Sequence, residues 1–137
     1  MSYRDILWLQ LHQDEGRKSK PYKCSAGKLT AGVGRNLEDN GLRPDEIDLM
    51  LTNDIAAAEA DAKLLFKTFD TLSDNRKAVV VNMAFQLGRD RLGKFLRFRQ
   101  AVDRGDFDAA VKEMKDSAWY VQTPNRADRL IKLMKDG

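Results

Sequence analysis

An acid, a thiol and a hydroxyl lie close together near the start of the chain. Eight residues separate Glu15 from Cys24, and five residues separate Cys24 from Thr30. A carboxylic acid that keeps its proton can protonate a leaving oxygen, which glycoside hydrolysis requires. A thiol with a lowered pKa can act as a base or a nucleophile, and a threonine hydroxyl can hold a water molecule. We therefore treat these three residues as candidate catalytic groups.

Each of these groups also has an interpretation without catalysis. Glu15 can be an exposed glutamate at a helix end, and a lone cysteine is often a small buried hydrophobic residue. Cys24 could instead pair with His12 as a thiol nucleophile and its base, although no third group that would orient the histidine is evident. Asp14 is too close to Glu15 on the same helix to face it across a cleft. The second carboxylate of a typical glycosidase is therefore not evident.

The acid lies at the end of a predicted helix over residues 3–14. Leu7, Leu11 and Glu15 follow one another at a spacing of four, which is typical of one face of a helix. Gly16 is a typical residue at a helix end. Glu15 should therefore continue the buried apolar face, where partial desolvation favours its protonated form.

The pattern changes from helical to extended between residues 17 and 37. Residues 25–28 predict the turn of a hairpin, and a third strand is expected near residues 31–35. Cys24 stands just before this turn and Thr30 just after it, so strand pairing would bring both towards Glu15. Positive charge near the thiol would lower its pKa, and the nearby lysines are Lys20, Lys23 and Lys28.

Most of the remaining chain has the apolar spacing of helices. A long helix is predicted from Pro44 to about residue 69, long enough to belong to two lobes at once. Residues 74–87 are apolar on nearly every side, which predicts the centre of a second lobe, and Gly88 ends that helix. Asn82 and Gln86 are its polar exceptions. Shorter helices are predicted at roughly 93–102, 106–116 and 124–135.

A basic cluster follows the apolar helix. Two phenylalanines, Phe95 and Phe98, are interleaved with its cations, a pattern that could bind nucleic acid or an anionic glycan. A solvated helix face explains the same pattern. The cations of this cluster are Arg89, Arg91, Lys94, Arg97 and Arg99.

Composition limits the classes of protein that this chain can represent. Its 137 residues fit one domain or two small lobes, and a net charge of +3 is compatible with an anionic partner. One cysteine cannot form an internal disulfide, and one cysteine with one histidine cannot complete a four-ligand zinc site. No apolar run has the length of a membrane span, and the first residues lack the pattern of a secretory signal.

Three blocks of the sequence resemble the phage lysozymes of the T4 type, which are glycoside hydrolases that cut bacterial peptidoglycan. The signature of that family is a glutamate, eight residues, an aspartate or cysteine, five residues and a threonine. It matches Glu15, Cys24 and Thr30 within DEGRKSKPYKCSAGKLTAGVG. Further matches, in the same order as in the family, are NMAFQLG at residues 82–88 and SAWYVQTPNRA at residues 117–127.

The resemblance implies an α+β, mainly α, lysozyme-like fold of two lobes with a cleft between them. The whole chain, residues 1–137, would be a single lysozyme domain. Residues 1–42 would form the N-terminal lobe with the β-hairpin, residues 43–69 the connecting helix, and residues 70–137 the helical lobe.

The resemblance also implies a role for each matched residue. Glu15 would be the general acid, Cys24 would occupy the place of the second catalytic residue, and Thr30 would help to position the attacking water. Two residues of the helical lobe would line the sugar cleft, and an arginine would pair with the catalytic glutamate and tether the lobes. The two cleft residues are Phe85 and Gln86, and the arginine is Arg126.

The chain departs from the best-known form of the family in several places. The second catalytic place holds a thiol rather than a carboxylate, which leaves the identity of the base and the stereochemistry at the anomeric carbon open. Arg35 stands where that form has a histidine after Gly-x-Gly. The connection before the long helix is shorter, and the C-terminal tail is cut back.

The function that we expect is a muramidase, which hydrolyses the β-1,4 bond between N-acetylmuramic acid and N-acetylglucosamine without a metal or cofactor. A lytic transglycosylase on the same fold and a non-catalytic cell-wall-binding module are the alternatives. We expect a monomer whose partner is the peptidoglycan glycan strand, with no nucleic acid and no integral membrane segment. It would wait in the host cytoplasm for a separate membrane pore, or be carried in the virion.

Overall fold

Eight α-helices and one small antiparallel sheet make up the structure. The computed structural model describes residues 1–137 and confirms the expected α+β, mainly α, class. In chain order the elements are α1 (Tyr3–Glu15), β1 (Lys18–Lys23), β2 (Leu29–Gly32), β3 (Arg35–Asn36), α2 (Leu37–Asn40), α3 (Pro44–Leu65), a short 3-10 helix (Phe69–Thr71), α4 (Asp74–Gly93), α5 (Leu96–Asp103), α6 (Phe107–Lys115), α7 (Ala118–Gln122) and α8 (Pro124–Asp136).

The chain divides into two compact units, which we call the first unit (Met1–Leu49) and the second unit (Met50–Gly137). The first unit holds α1, the three strands and α2. Helix α3 begins in the first unit and continues into the second, which also holds α4 to α8. None of the helices is both long enough and apolar enough to span a lipid bilayer.

The predicted hairpin is present in the first unit. Strands β1 and β2 pair antiparallel, with Tyr22 opposite Thr30. The turn closes where the Cys24 backbone N–H donates to the Lys28 carbonyl at 2.9 Å and the Gly27 N–H donates to the Cys24 carbonyl at 2.8 Å. As predicted, Cys24 stands just before the turn and Thr30 just after it.

The third strand begins later than predicted. It was expected near residues 31–35, but β3 is Arg35–Asn36, and the residues from Gly32 to Gly34 form a turn instead. Both glycines have a positive φ, of 66° and 68°. Glycine adopts this left-handed conformation at little cost, so the two glycines end β2 and reverse the chain.

Helix α1 is present as predicted, but its expected buried face is absent. Leu7 and Leu11 are 43% and 40% exposed, and Glu15 is exposed as well. Strand β1, with the sequence KSKPYK, carries mostly polar side chains, so the small sheet has no broad apolar surface to cover the helix. The expectation that Glu15 continues a buried face is therefore wrong.

Helix α3 ends at Leu65 rather than near residue 69. Phe66 and Phe69 leave the helical path and are buried in the core of the second unit, at 1% and 6% exposure. The Asp103 carboxylate accepts hydrogen bonds from the Thr68 backbone N–H at 3.2 Å and from its hydroxyl at 3.1 Å. A contact distant in sequence thus satisfies the backbone just beyond the helix end.

The core of the second unit is built around α4, as predicted. Val79, Val80 and Met83 are fully buried there, at 0% exposure. Gly88 breaks the helical geometry, with φ 81° and ψ 164°, at the predicted helix end, although the helix resumes and continues to Gly93. The short helix α7 was not predicted, and α5 begins at Leu96 rather than near residue 93.

Candidate active site

The carboxyl group of Glu15 lies against the turn between β2 and β3. A Cβ atom placed on Gly34 would be 2.8 Å from Glu15 Oε2 and 2.9 Å from its Cδ atom. Such distances are too short for a real Cβ atom, so any larger residue at position 34 would displace the Glu15 carboxyl group from this place. Glu15 is exposed, but its acid group has a fixed neighbour. The end of α1 and the second glycine of the turn therefore position the candidate acid together.

The Thr30 side chain lies close enough to the Cys24 thiol to lower the pKa of that thiol. The Thr30 hydroxyl also donates to the Lys28 carbonyl at 2.8 Å. Thr30 is 3% exposed and is the only fully buried residue of the first unit, whereas Cys24 is partly exposed. The structure thus places a fixed hydroxyl beside a reachable thiol.

Backbone hydrogen bonds hold the pKa of the Cys24 thiol below its ordinary value. The largest effect comes from the backbone N–H of Lys28, the next from that of Ala26, and a smaller one from the Thr30 side chain. Hydrogen bonds to the charged form of an acid favour that form. The predicted direction is confirmed, but its cause is the backbone of the turn rather than lysine charge. A lower pKa increases the thiolate fraction, which is the reactive form.

His12 is not a partner of the thiol. Its Nδ1 atom lies 2.9 Å from the Trp8 carbonyl oxygen, and its Nε2 atom lies 3.1 Å from Arg17 Nη1. An arginine can only donate, so Nε2 accepts and Nδ1 carries the proton that is donated to Trp8. Because both ring nitrogens have other partners, the alternative pairing of His12 with Cys24 is wrong.

Strand β2 connects the two parts of the candidate site. Thr30 lies within β2 opposite Asn36, and the turn that contacts Glu15 begins at Gly32. Two residues of a strand span about 7 Å. The Glu15 carboxyl makes no hydrogen bond to Cys24 or Thr30. In the first unit, the Glu15 carboxyl therefore lies against the turn at one end of β2, and the Cys24 thiol lies near the other end.

An ion pair that the sequence analysis missed holds the residue that follows the turn. Arg35 Nη1 lies 2.6 Å from Glu46 Oε1, and Arg35 Nη2 lies 2.5 Å from Glu46 Oε2. The backbone N–H of Arg43 also donates to Glu46 Oε1 at 2.8 Å, in the manner of a capping box at the start of α3. The one signal available in the sequence was the pair of opposite charges on either side of α2.

The Glu46→Gln substitution should change stability in a pH-dependent way. The hydrogen bond from Arg35, followed by that from the Arg43 backbone, lowers the pKa of Glu46 from 4.5 to about 2. A carboxyl group with a lower pKa in the folded state stabilises the fold above its unfolded pKa, and this contribution is lost as the pH falls through the folded value. We expect the Tm difference between wild type and variant to be constant above about pH 5 and to shrink from there towards pH 2.

Thermal unfolding followed by circular dichroism measures this difference. Asp45→Asn is the matched control, because it breaks a neighbouring pair with Arg43 whose side chains are 68% and 74% exposed. Such an exposed pair contributes little, so its removal should barely change Tm at any pH. A Glu46→Gln deficit that persisted unchanged down to pH 2 would contradict the prediction.

In the second unit, the two polar exceptions of α4 accept hydrogen bonds from the C-terminal block. Asn82 Oδ1 accepts from Arg126 Nε at 3.0 Å and from Arg126 Nη2 at 2.7 Å. Gln86 Oε1 accepts from Trp119 Nε1 at 2.9 Å. The sequence blocks at residues 82–88 and 117–127 are thus joined to each other. Sequence spacing does not pair Asn82 with Arg126, although a polar residue on an apolar helix is a signal for such a partner.

The Gln86→Leu substitution should destabilise the second unit by about 1–3 kcal/mol. Trp119 is 2% exposed, so its indole N–H would lose its partner without gaining water. Denaturant unfolding measures the change. Gln100→Leu on α5 is the control, because Gln100 is exposed and its side chain has no partner. Equal stability of Gln86→Leu and wild type would show that this hydrogen bond contributes nothing.

Phe85 is the one large hydrophobic residue of helix α4 that is exposed. Its side chain is 47% exposed and lines a groove of about 410 Å³ within the second unit. The groove is mainly apolar, with the Asn82 amide and the Arg126 guanidinium as its polar groups. An apolar surface with a few placed polar groups is typical of a ligand groove. The expected sugar-lining role of Phe85 and Gln86, and the expected pairing of Arg126 with Glu15, remain predictions.

The basic cluster at residues 89–99 does not form a continuous basic and aromatic face. Phe98 is 1% exposed and belongs to the core. The Arg99 guanidinium donates to the backbone carbonyls of Leu65 at 3.2 Å and Gly93 at 2.8 Å, so this cation has a structural role. No group of three or more His, Cys, Asp or Glu side chains is arranged to hold a metal ion.

Comparison with known proteins covers nearly the whole chain. Residues 12–132 match the phage lysozyme family. The chain is 25% identical to probable T4-type lysozyme 2 of Dictyostelium discoideum, over 93% of this chain and 92% of that protein. It is 31% identical to the pre-baseplate central spike protein Gp5 of Enterobacteria phage T4, over 93% of this chain and 27% of that protein.

A further relative is the peptidoglycan hydrolase gp36 of Pseudomonas phage phiKMV, which is 26% identical over 91% of this chain and 14% of that protein. The chain therefore corresponds to nearly all of the Dictyostelium protein but to a small part of each of the two phage proteins. The family match includes the sheet that carries Cys24 and Thr30, together with the helix end at Glu15. This chain belongs to the phage lysozyme family.

Proposed function

We propose that this protein is a peptidoglycan hydrolase, and specifically a muramidase that cuts the β-1,4 bond between N-acetylmuramic acid and N-acetylglucosamine. The observation that carries the proposal is the placement of the Glu15 carboxyl beside Gly34, in the turn that follows β2, the strand of Thr30, whose side chain lies near the Cys24 thiol. Membership of the phage lysozyme family supports it, as does the relative that is named a peptidoglycan hydrolase.

Glu15 has the chemistry of the general acid in this proposal. It gives its proton to the glycosidic oxygen as the bond from that oxygen to the anomeric carbon breaks, and the leaving sugar departs as an alcohol. An exposed carboxyl can be reached by a polymeric substrate. Contact with Gly34 limits the orientations of the side chain, which favours proton transfer in one direction.

In this proposal, Cys24 activates the attacking water and Thr30 helps to position it. The thiolate accepts a proton from the water while the water oxygen bonds to the anomeric carbon. Lowering of the pKa by the backbone of the turn supports this role. The Thr30 hydroxyl gives its own proton to the Lys28 carbonyl, so its oxygen is left to accept a hydrogen bond from the attacking water.

Residues of the second unit supply the sugar-binding surface in this proposal. The exposed ring of Phe85 offers an apolar face for a sugar ring, and Gln86 lies next to it in the chain. Arg126, oriented by Asn82, would pair with Glu15. We propose a monomer that acts on glycan strands, released from the host cytoplasm through a separate pore or carried in the virion.

A lytic transglycosylase is the second candidate, because the second catalytic place holds a thiol and not a carboxylate. In that reaction the hydroxyl of the muramic acid itself attacks the anomeric carbon, and an anhydro sugar forms in place of the hydrolysis product. A single acid can serve such a reaction. The thiol beside Thr30 and its lowered pKa favour the hydrolytic reaction, because they provide a base for water.

Mass spectrometry of the fragments released from purified peptidoglycan tests the proposal. A muramidase releases fragments that end in a reducing muramic acid, and borohydride reduces them. A transglycosylase releases anhydromuramic fragments that are lighter by one water and resist borohydride. Binding to peptidoglycan without released fragments would overturn both reactions in favour of a wall-binding module.

The Gly34→Ala substitution should show how the placement of the Glu15 carboxyl affects activity, separately from the effect of backbone strain on stability. The new Cβ atom would collide with the Glu15 carboxyl, and displacement of a reacting group by about 1 Å can cost about 10²-fold in rate. Gly32→Ala is the matched control, because Gly32 has nearly the same φ but nothing within 4 Å of its Cβ position. Both should lose about 1–2 kcal/mol of stability through the strained backbone.

Thermal unfolding and the rate of peptidoglycan digestion measure the two effects separately. Only Gly34→Ala should lose the digestion rate once both variants are assayed well below their Tm. Equal losses of rate in the two variants would mean that backbone strain, and not contact with Glu15, controls the activity.

A further inference from the structure

The ion pair between Arg35 and Glu46 connects three elements of the first unit. Arg35 is the first residue of β3, and Glu46 lies in the first turn of α3. Arg35 Nη1 also donates to the carbonyl of Gly41, just after α2, at 3.4 Å. The guanidinium therefore ties the start of β3 to the end of α2 and to the start of α3.

This pair is shorter and less exposed than the other ion pairs in the unit. Both oxygens of Glu46 face both terminal nitrogens of Arg35, and the side chains are 36% and 31% exposed. The pairs of Lys28 with Glu38 and Asp39 use a single nitrogen and are 41–50% exposed. A bidentate pair fixes orientation as well as distance.

Arg35 directly follows Gly34, the residue on which the Glu15 carboxyl lies. The path from Glu46 to Glu15 has few links: the bidentate pair, one peptide bond, and the contact of the Glu15 carboxyl group with Gly34. A peptide unit is planar and rigid, so a shift at the start of β3 is passed on to Gly34. The pair is thus connected to the acid through neighbouring residues, although it does not touch it.

We propose that the Arg35–Glu46 pair positions Glu15 for proton transfer, by holding the β2–β3 turn fixed against the first turn of α3. Arg35 and Glu46 are positioning residues, since neither contacts the acid through its side chain. This inference rests on the proposed function, in which Glu15 is the general acid. Its consequence is that kcat depends on the pair, while substrate binding by the second unit does not.

The test compares Glu46→Gln, Glu46→Asp and the charge-swapped double variant Arg35→Glu/Glu46→Arg, with soluble glycan fragments as substrate. We expect Glu46→Gln to lower kcat by about 10-fold to 10²-fold with KM unchanged, because the turn is no longer held. Glu46→Asp keeps the charge and should lose less. The double variant restores opposite charges and should recover part of kcat relative to Glu46→Gln.

Asp45→Asn is the matched control, because it neutralises a neighbouring carboxylate whose exposed partner, Arg43, does not hold the turn. Its kcat and KM should equal those of wild type. All variants are assayed at a temperature at which circular dichroism shows them fully folded. If Glu46→Gln does not fold at any temperature, the comparison of Glu46→Asp with Asp45→Asn decides the question in the same way.

A wild-type kcat for Glu46→Gln, or a rise in KM with unchanged kcat, would overturn the positioning inference and leave the proposed function intact. Inactivity of the wild-type protein on peptidoglycan, or full activity of Glu15→Gln, would instead overturn the proposed function. The two failures are therefore distinguished by the wild-type and Glu15→Gln measurements in the same series.

Discussion

Replacing Glu15 by glutamine should lower the rate of peptidoglycan cleavage by about 10²–10⁴-fold, which is the usual contribution of a general acid. Glutamine has nearly the same shape and can occupy the same place beside Gly34, but it has no proton to give to the glycosidic oxygen. Because Glu15 is exposed and makes no hydrogen bond to a buried partner, the substitution should leave Tm nearly unchanged. Loss of turbidity of a peptidoglycan suspension measures the rate.

Asp14→Asn is the matched control for this prediction. Asp14 is also an exposed acid in the last turn of α1, but the atoms nearest to the Cβ position of Gly34 belong to Glu15. Its neutralisation changes the net charge of the protein by the same amount as Glu15→Gln. If both variants lost activity equally, general charge effects on binding to the cell wall would explain the loss. Full activity of folded Glu15→Gln would end the proposal that Glu15 is the acid.

Replacing Cys24 by alanine should also lower the rate by about 10²–10⁴-fold, since it removes the group that we propose as the base for the attacking water. Cys24→Asp should stay active, because a carboxylate can also accept the proton of the attacking water. Cys24→Ser should be folded and nearly inactive, since a hydroxyl keeps the size and hydrogen bonds of the thiol but does not ionise near neutral pH. Initial rates on purified peptidoglycan measure all three.

The pH dependence of alkylation provides an independent measurement of the thiol. Cys24 is the only cysteine, so iodoacetamide reports on this residue alone. The backbone N–H of Lys28 is the main cause of the lowered pKa, and the midpoint of alkylation should therefore lie below that of a free thiol. An alanine variant with wild-type activity would mean that Cys24 has only a packing role. An alkylation midpoint equal to that of a free thiol would mean that the turn does not lower the pKa of Cys24.

The use of a thiol in place of a carboxylate has a physical consequence. A thiol is uncharged until its pKa is lowered, whereas a carboxylate is ionised at neutral pH without help. The hairpin turn supplies that help through the backbone N–H groups of Lys28 and Ala26, which hydrogen-bond to the sulfur. Activity of the wild-type enzyme should therefore depend on the shape of the turn more than that of Cys24→Asp does.

The local elements of this protein could be predicted from the sequence. The start and end of α1, the hairpin around residues 25–28 and the break at Gly88 depend on residues next to one another in the chain. Helix spacing, capping and turn preference are properties of short segments, and the residues of each segment therefore determine them. The same holds for the spacing of Glu15, Cys24 and Thr30, which indicated the family that the comparison confirmed.

The surroundings of the site residues were decided by tertiary structure alone. Helical spacing predicted a buried Glu15, but its carboxyl lies against Gly34, a residue from another element. The cause of the lowered Cys24 pKa was assigned to lysines, whereas backbone groups that only the folded turn brings to the sulfur produce it. Burial and charge environment depend on which distant residues come together, and spacing along one segment does not contain that information.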